Sequence, residues 1–319
     1  MNTKKLQQMI RIAKLYYELG WGQAEIAKHE GISKSTVSRM LQKAIDMGYV
    51  KVSIEFPFQT IDSLNEEIKT AFSLEEVFVN PVIVENDKII MNDTCKALAA
   101  RIEQYLEDEM IVGVSWGRTM SCLADHLRPM KVKNIKVVQL NGAISQRMSA
   151  TGASKIVDSL AKAGNGTGYL LPVPVLVDSE EIANTLKRDS YIKSILDLAE
   201  AAPVTIFSVG SIAKDSILYQ EGFFTDEEYR YMLERGAVGE VCSRYFDING
   251  QIISREHDKR TMGIPPESLK KKPCKIAVVS GKSKIRPLLG ALRGGFIDIL
   301  YTDELTAKEL LKISETAGF

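Results

Sequence analysis

The chain has 319 residues, enough for two domains, one of them large. Its 45% hydrophobic and 26% charged content suits buried cores in water, and no apolar run approaches the roughly 20 residues that a membrane helix needs. Net charge is zero, which argues against indiscriminate adhesion to nucleic acid.

The basic N-terminus, MNTKKLQQMIRIAKLYYELG, lacks an apolar core and a cleavage site. The expectation is a cytoplasmic protein with no membrane partner. Cys95, Cys122, Cys242 and Cys274 are scattered and form no C-x-x-C pair, so they read as free thiols. His29, His126 and His257 have no ligand spacing, and neither a metal nor a cofactor is expected.

Charge is unevenly spread. Residues 1–51 carry nine bases and four acids, a net +5 that the remainder balances. A basic module on an acidic body is the reading.

Leu6, Ile10, Ala13 and Tyr17 keep helical spacing and predict a first helix. A turn at Gly20-Trp21-Gly22 precedes a short helix from Gln23 to about His29, which Gly31 ends. Ser33 is suited to cap the next helix, Ser33–Met47. In that helix Val37, Met40, Leu41, Ala44 and Ile45 share one face, and Ile26, Ile32 and Val37 supply a core with the helix before. The opposite face carries Lys34, Ser35, Thr36, Ser38, Arg39, Gln42 and Lys43. Donors without bulk are what a helix entering a DNA groove needs. This is a helix-turn-helix, with Ser33–Met47 as its recognition helix. YVKVSIEF then alternates like a short strand, either a wing or the exit from the module, and a linker starts at Pro57.

From Ile61 the texture changes. A helix over 61–73, a strand near EVFVNPVIV and a helix over about 90–107 lead to the strand MIVGVSW. Further strands are predicted at IKVVQL (135–140), GYLLPVPV (168–175), PVTIFSVG (203–210), KIAVVSG (275–281) and IDILYT (297–302). Apolar runs alternating with helices indicate a parallel sheet buried on both faces, with its ligand at the carboxyl ends of the strands.

Four of those ends carry candidate chemistry. In GVSWGRT, Ser115, Gly117, Arg118 and Thr119 lie where a strand runs into a helix, and free N–H groups with two hydroxyls make an anion seat. GVSWG also fits G-x-S-x-G, which makes Ser115 a candidate nucleophile. Its base would have to be His257, with Asp178, Glu240 or Asp247 as the acid, and no oxyanion loop of the HGGG type is present. In VVQLNGAIS, Asn141-Gly142 follows a strand, and an amide at 141 offers no imine to a sugar carbonyl. FSVGSI places Gly210 and Ser211 similarly. In VSGKSKIRPLLG, Lys282, Lys284 and Arg286 cluster where a helix begins, against the dipole preference, which makes sense beside an anion. Glu240 and Asp247 are candidates to accept bonds from sugar hydroxyls, although FDINGQ also reads as a hairpin turn that Asp247 caps.

With RMLQKAIDMGYV, GVSWGRT, AVGEVCSRYFDINGQ and KIAVVSGKSKIRPLLGALRGGFIDILYTDE occurring in that order, the chain resembles the SorC family of bacterial transcriptional regulators, the DeoR-like sugar-binding regulators. The resemblance covers nearly the full length. It implies an all-α helix-turn-helix, possibly winged, over 1–56. Over 57–319 it implies an α/β Rossmann-like effector and oligomerisation domain, similar to ribose-5-phosphate isomerases and glucosamine-phosphate deaminases. The implied partners are operator DNA, a phosphorylated sugar and further copies of the chain, from dimer to tetramer. Carried over by motif, Ser115, Gly117, Arg118, Thr119 and Lys284 hold the phosphate. Glu240 takes sugar hydroxyls, with Asn141 and Gly142 nearby, and Gln146 and Arg147 lie where ligands are told apart. On DNA, Arg39 and Ser35 would read bases and Lys34 and Lys43 phosphates, with Thr36 and Ser38 on the same face. The competing readings are an isomerase-like or serine-hydrolase enzyme fused to a DNA module, and a sugar-sensing scaffold whose helix-turn-helix makes protein contacts only.

Overall fold

The computed structural model describes residues 3–51, 60–144, 152–214, 216–220, 222 and 225–316. Two compact units emerge, Met1–Pro57 and Phe58–Phe319.

The first unit is three helices: α1 (Thr3–Tyr17), α2 (Gln23–Glu30) and α3 (Lys34–Asp46). Gly31 ends α2 in the left-handed conformation, φ 67°, and the Ser33 hydroxyl caps α3 by accepting from the Thr36 amide. Met9, Ile12, Ala13, Ile26, Val37, Leu41 and Ala44 are buried together. The α1 stripe is therefore rotated from the expected one. Tyr17 is exposed and Leu6 only partly buried, because Met9 and Ile12 occupy the side that meets α3. Residues 49–51 form no strand, and the expected wing otherwise lies outside the described residues.

The second unit begins with α4 (Asp62–Phe72), β1 (Glu76–Asn80), α5 (Asp87–Arg101), β2 (Ile111–Val114), α6 (Arg118–His126) and β3 (Lys136–Gln139). After α7 (Ala153–Ala163) and β4 (Thr167–Tyr169) come α8 (Glu180–Arg188) and α9 (Ser190–Ala201). Then β5 (Val204–Phe207) and β6 (Gly210–Ser211) precede α10 (Ile217–Gln220) and α11 (Asp226–Glu234). A short hairpin, β7 (Gly239–Val241) and β8 (Arg244–Phe246), leads to α12 (Arg255–Arg260) and α13 (Pro266–Lys270). The unit closes with β9 (Cys274–Val278), α14 (Ile285–Arg293), β10 (Ile299–Asp303) and α15 (Glu304–Thr316).

Seven strands make one sheet in the order β1-β10-β9-β5-β2-β3-β4, with every pairing parallel. Successive residues face opposite cores. Val137 joins the layer under α5, α6 and α7, whereas Val138 joins the layer under α4, α9, α14 and α15. That is why the strands read as continuous apolar runs. From β2 the chain builds outward through β3 to β4, then returns to β5 and builds the other way through β9 and β10. The order thus reverses between β2 and β5, and an open α/β sheet offers its crevice at such a reversal.

Two expected strands are shorter than their apolar runs. GYLLPVPV joins the seven-stranded sheet only through β4, Thr167–Tyr169, and beyond it makes just an isolated bridge from Pro174 to Ile144, since Pro172 and Pro174 have no N–H to give a ladder; the first strand stops at Asn80 before Pro81. The helix expected over about 90–107 starts earlier, on an Asn86 cap, and tightens into a 3₁₀ turn after Arg101. An antiparallel sheet, β6-β7-β8, was not expected. Its strands have only two or three residues, too few to show alternation.

Candidate functional site

In the first unit, Lys34, Ser35, Ser38, Arg39 and Lys43 are exposed on one side of α3, opposite buried Val37, Leu41 and Ala44. Thr36 is half-buried. Its hydroxyl lies 2.8 Å from the Ser33 hydroxyl, and the Ser35 hydroxyl is 2.9 Å from the same atom. These two side chains therefore finish the cap as well as facing outward. Arg39 enters no ion pair among those the described residues make. One positioning contact escaped sequence reasoning. Glu30, at the end of α2, takes a two-pronged bond from Arg11 of α1 at 2.7 Å on each oxygen, and another from Gln8. The Arg11 bond holds the Glu30 carboxyl down to about 2, against the opposing effect of burial. Nothing in the spacing of residues 8, 11 and 30 announces this, because they meet only once α1 folds over α2.

The second site lies at the reversal between β2 and β5. Ser115 continues β2, its amide bonded to Ile206 O of β5. Gly117 then turns into α6 with φ 129°, a value that disfavours side chains, and no side chain caps that helix. The first N–H groups of α6 therefore stand at the crevice with the helix dipole behind them. From beyond β9, Lys284 reaches across and donates to Thr119 Oγ1 at 2.8 Å and to Ser208 Oγ, just after β5, at 2.9 Å. Burial pulls its amine down to about 8, with the Glu240 carboxylate acting the other way.

The three bases after β9 do not act together. Only Lys284 turns inward; Lys282 is exposed and pairs loosely with Glu85 at 3.7 Å, and Arg286 is exposed. Arg118 is exposed at the start of α6, while Thr119 is buried.

Glu240 sits on β7, and its Oε2 accepts from the Ser243 amide at 2.7 Å. Burial pushes this carboxyl up to about 7, while the Ser243 amide and the Lys284 charge favour its ionised form. Ser243 and Cys242 form the two-residue β7–β8 turn, both at positive φ (66° and 50°). Such a turn normally takes Asn-Gly, so side chains here are strained and must be held. The hold is Asn141, whose Nδ2 donates to Ser243 Oγ at 2.8 Å. Asn141 is thereby placed beside Glu240 by a bond to a residue 102 positions further along the chain.

Gly142 contributes space and not donors. Its N–H goes to Met262 O and its carbonyl accepts from Trp116 Nε1 at 2.8 Å. A methyl there would lie 2.1 Å from Pro174 O. Two buried polar atoms in this group, Ser115 Oγ and Asn141 Oδ1, have no hydrogen-bond partner among the described residues. Buried polar atoms are rarely left so, and two at one crevice point to a polar ligand.

Among the described residues no histidine is hydrogen-bonded to the competing nucleophile, Ser115. His126 Nε2 bonds Asn92 Oδ1 at 2.7 Å, and His257 packs beside Thr261. Asp247 Oδ1 accepts from the amides of Asn249 and Gln251, so this oxygen caps the turn. Gln146 and Arg147 lie outside the described residues. Sequence reasoning missed Ser208, Ser243 and the buried Arg244. Arg244 gathers the 258–264 segment by donating to Asp258 Oδ1, to Asp258 O and to the carbonyls of Thr261, Gly263 and Ile264. An arginine within a short apolar strand was the one available signal.

Comparison with known proteins agrees with this geometry. Residues 57–312 match the family described as "Putative sugar-binding domain", and residues 4–46 match the "Homeodomain-like domain". The deoxyribonucleoside regulator of Bacillus subtilis is 33% identical over 98% of this chain and 99% of its own length. The sorbitol operon regulator of Klebsiella pneumoniae is 28% identical, also over 98% of this chain and 99% of its own. The crystal structure of that full-length regulator superposes with a TM-score of 0.75 at 27% identity, covering 97% of this chain and all of the other. These relatives are transcriptional regulators and not enzymes. A helix-turn-helix unit joined to a parallel-sheet sugar-binding unit, matched along its length by such proteins, makes this chain a member of the SorC family of sugar-binding transcriptional regulators.

Proposed function

We propose that this regulator controls a carbohydrate-utilisation operon and that a phosphorylated sugar, bound at the β2–β5 reversal, sets its operator affinity. The observation that carries the reading is the convergence of Lys284, Thr119, Ser208 and the uncapped N-terminus of α6 on one point. That point favours a dianion. Glu240 and Asn141, joined through Ser243, flank it with acceptors suited to hydroxyls. Arg118 and Ser115 complete the phosphate end. The reading also keeps the likeness to ribose-5-phosphate isomerases and glucosamine-phosphate deaminases, which bind the same class of molecule.

On DNA, Arg39 and Ser35 read base edges, while Lys34 and Lys43 meet phosphates, with Thr36 and Ser38 beside them. Copies of the chain pair, as dimers or tetramers, to present two recognition helices to successive major grooves. The sugar phosphate binds one arrangement of those helices more tightly than the other and so shifts the population. The test is a thermal-shift panel on the full chain, setting phosphorylated sugars beside their unphosphorylated parents and inorganic phosphate, followed by operator binding with the responder. Stabilisation by a phosphorylated sugar, and changed operator affinity in its presence, is the expected result. An equal response to the unphosphorylated parent would overturn the phosphate seat.

A further inference from the structure

The second unit holds a feature that neither sugar nor DNA binding uses. Cys95 on α5 and Cys122 on α6 lie where these helices pack: Cys95 Sγ meets the carbonyl of Thr119, one turn before Cys122, and Cys122 Sγ meets Oδ1 of Asn92, one turn before Cys95. The two differ in their surroundings. Cys95 is completely buried, and its S–H donates to Thr119 O at 3.4 Å. Cys122 is half-buried, reachable from outside, and lies one turn before His126 on the same helix.

Asn92 of α5 orders this group. Its Oδ1 receives His126 Nε2 at 2.7 Å and Cys122 Sγ at 4.0 Å. An amide oxygen only accepts, so Nε2 carries a proton there. The Cys95 thiol and then His126 both draw the Cys122 thiol below its ordinary range, while Asp125 and burial oppose them. Cys95 moves the other way, raised by the neighbouring Cys122 and by burial, with Lys284 opposing. An accessible, activated thiol beside a buried second thiol is the arrangement of an attacking and a resolving cysteine.

We propose that Cys122 and Cys95 form a peroxide-reactive dithiol that closes to a disulfide between α5 and α6. The co-reactant is a hydroperoxide, with hydrogen peroxide the simplest. The Cys122 thiolate attacks one peroxide oxygen, the O–O bond breaks, and hydroxide leaves, giving a sulfenic acid on Cys122. The Cys95 sulfur then attacks that sulfur. The S–O bond breaks, the Cys95 proton leaves with the hydroxyl as water, and the S–S bond forms. Two electrons have passed from the dithiol to the peroxide. The bond would draw Cys95 from the Thr119 carbonyl, on the residue whose hydroxyl receives Lys284.

Cys274 serves as the internal control, since it is also half-buried but burial pushes its thiol up to about 11. The full-length protein is treated with hydrogen peroxide, quenched, and mapped by mass spectrometry without reduction. The Cys95–Cys122 linkage should appear within single chains and disappear with dithiothreitol, with Cys122 consumed on the order of tenfold faster than Cys274. Cys95→Ala should trap a dimedone-reactive sulfenic acid at Cys122, and Cys122→Ala should give neither product. Peroxide that consumes Cys122 and Cys274 at equal rates, or that links Cys122 only to a second copy of the chain, would overturn the proposal. Mapping of the unsubstituted protein decides the matter even if a variant folds poorly.

Discussion

Replacing Lys284 with methionine tests the anion seat through two effects of opposite sign. The amine is pulled from its ordinary 10.5 to about 8 by burial, which corresponds to about 3 kcal/mol against its charged form at neutral pH. Methionine removes that penalty and also the bonds to Thr119 and Ser208, each worth about 1 kcal/mol. The ligand-free variant should therefore be more stable by roughly 1 kcal/mol, about 2–4 °C for a unit of this size. The pH dependence sharpens the test. Below pH 8 the folded chain carries the full penalty. Between about 8 and 10.5 it binds fewer protons at Lys284 than the unfolded chain, so wild-type stability rises with pH across that window. The variant should show a smaller rise, since burial also lowers the amines of Lys187 and Lys272. A phosphorylated sugar, by contrast, loses a charge-assisted bond worth about 1.5–3 kcal/mol, a fall of about 10- to 150-fold in affinity by titration calorimetry. Unchanged affinity, or a rise between pH 8 and 10.5 that is undiminished in the variant, would refute this account of the seat.

Three further outcomes are expected. Arg39→Ala should weaken operator binding by about 1–3 kcal/mol in a fluorescence-anisotropy titration at fixed salt, and unchanged affinity would remove Arg39 from base reading. Glu30→Gln should destabilise the first unit above pH 4.5 by about 1–2 kcal/mol, the full effect being discounted because Arg11 is mostly exposed. The wild-type contribution is present above 4.5 and lost as pH falls through about 2, so the two proteins should converge in strong acid; a constant difference down to pH 2 would contradict the pairing. Arg244→Met leaves Asp258 and the carbonyls of Thr261, Gly263 and Ile264 without their donor, at a cost of about 3–5 kcal/mol in urea unfolding of the second unit. A cost below about 1 kcal/mol would show that the 258–264 segment holds itself.

Much of this molecule was legible locally. The Ser33 cap, the Gly31 stop and the polar face of α3 rest on neighbours within a turn, where spacing and side-chain chemistry act directly. The apolar runs that became β2, β3, β5, β9 and β10 announced strands buried on both faces. Pairings between distant segments were not legible. Three bases, Lys282, Lys284 and Arg286, look alike in sequence, yet a 3₁₀ turn over Lys282–Lys284 running into α14 sends one inward and two to solvent. The strained Cys242-Ser243 turn gives no local sign of itself, because its conformation is held by Asn141 from another strand.

The sequence by itself determined the two-module organisation, the helix-turn-helix and the kind of ends the strands would have, since periodicity, caps and glycine turns are properties of short stretches. Tertiary structure alone decided the strand order, and with it the reversal between β2 and β5 where Ser115, Ser208 and Lys284 converge. The physical reason is that such a site forms when segments tens to hundreds of residues apart are packed into one sheet. The energies that select that packing are summed over the whole core and not written at any one position.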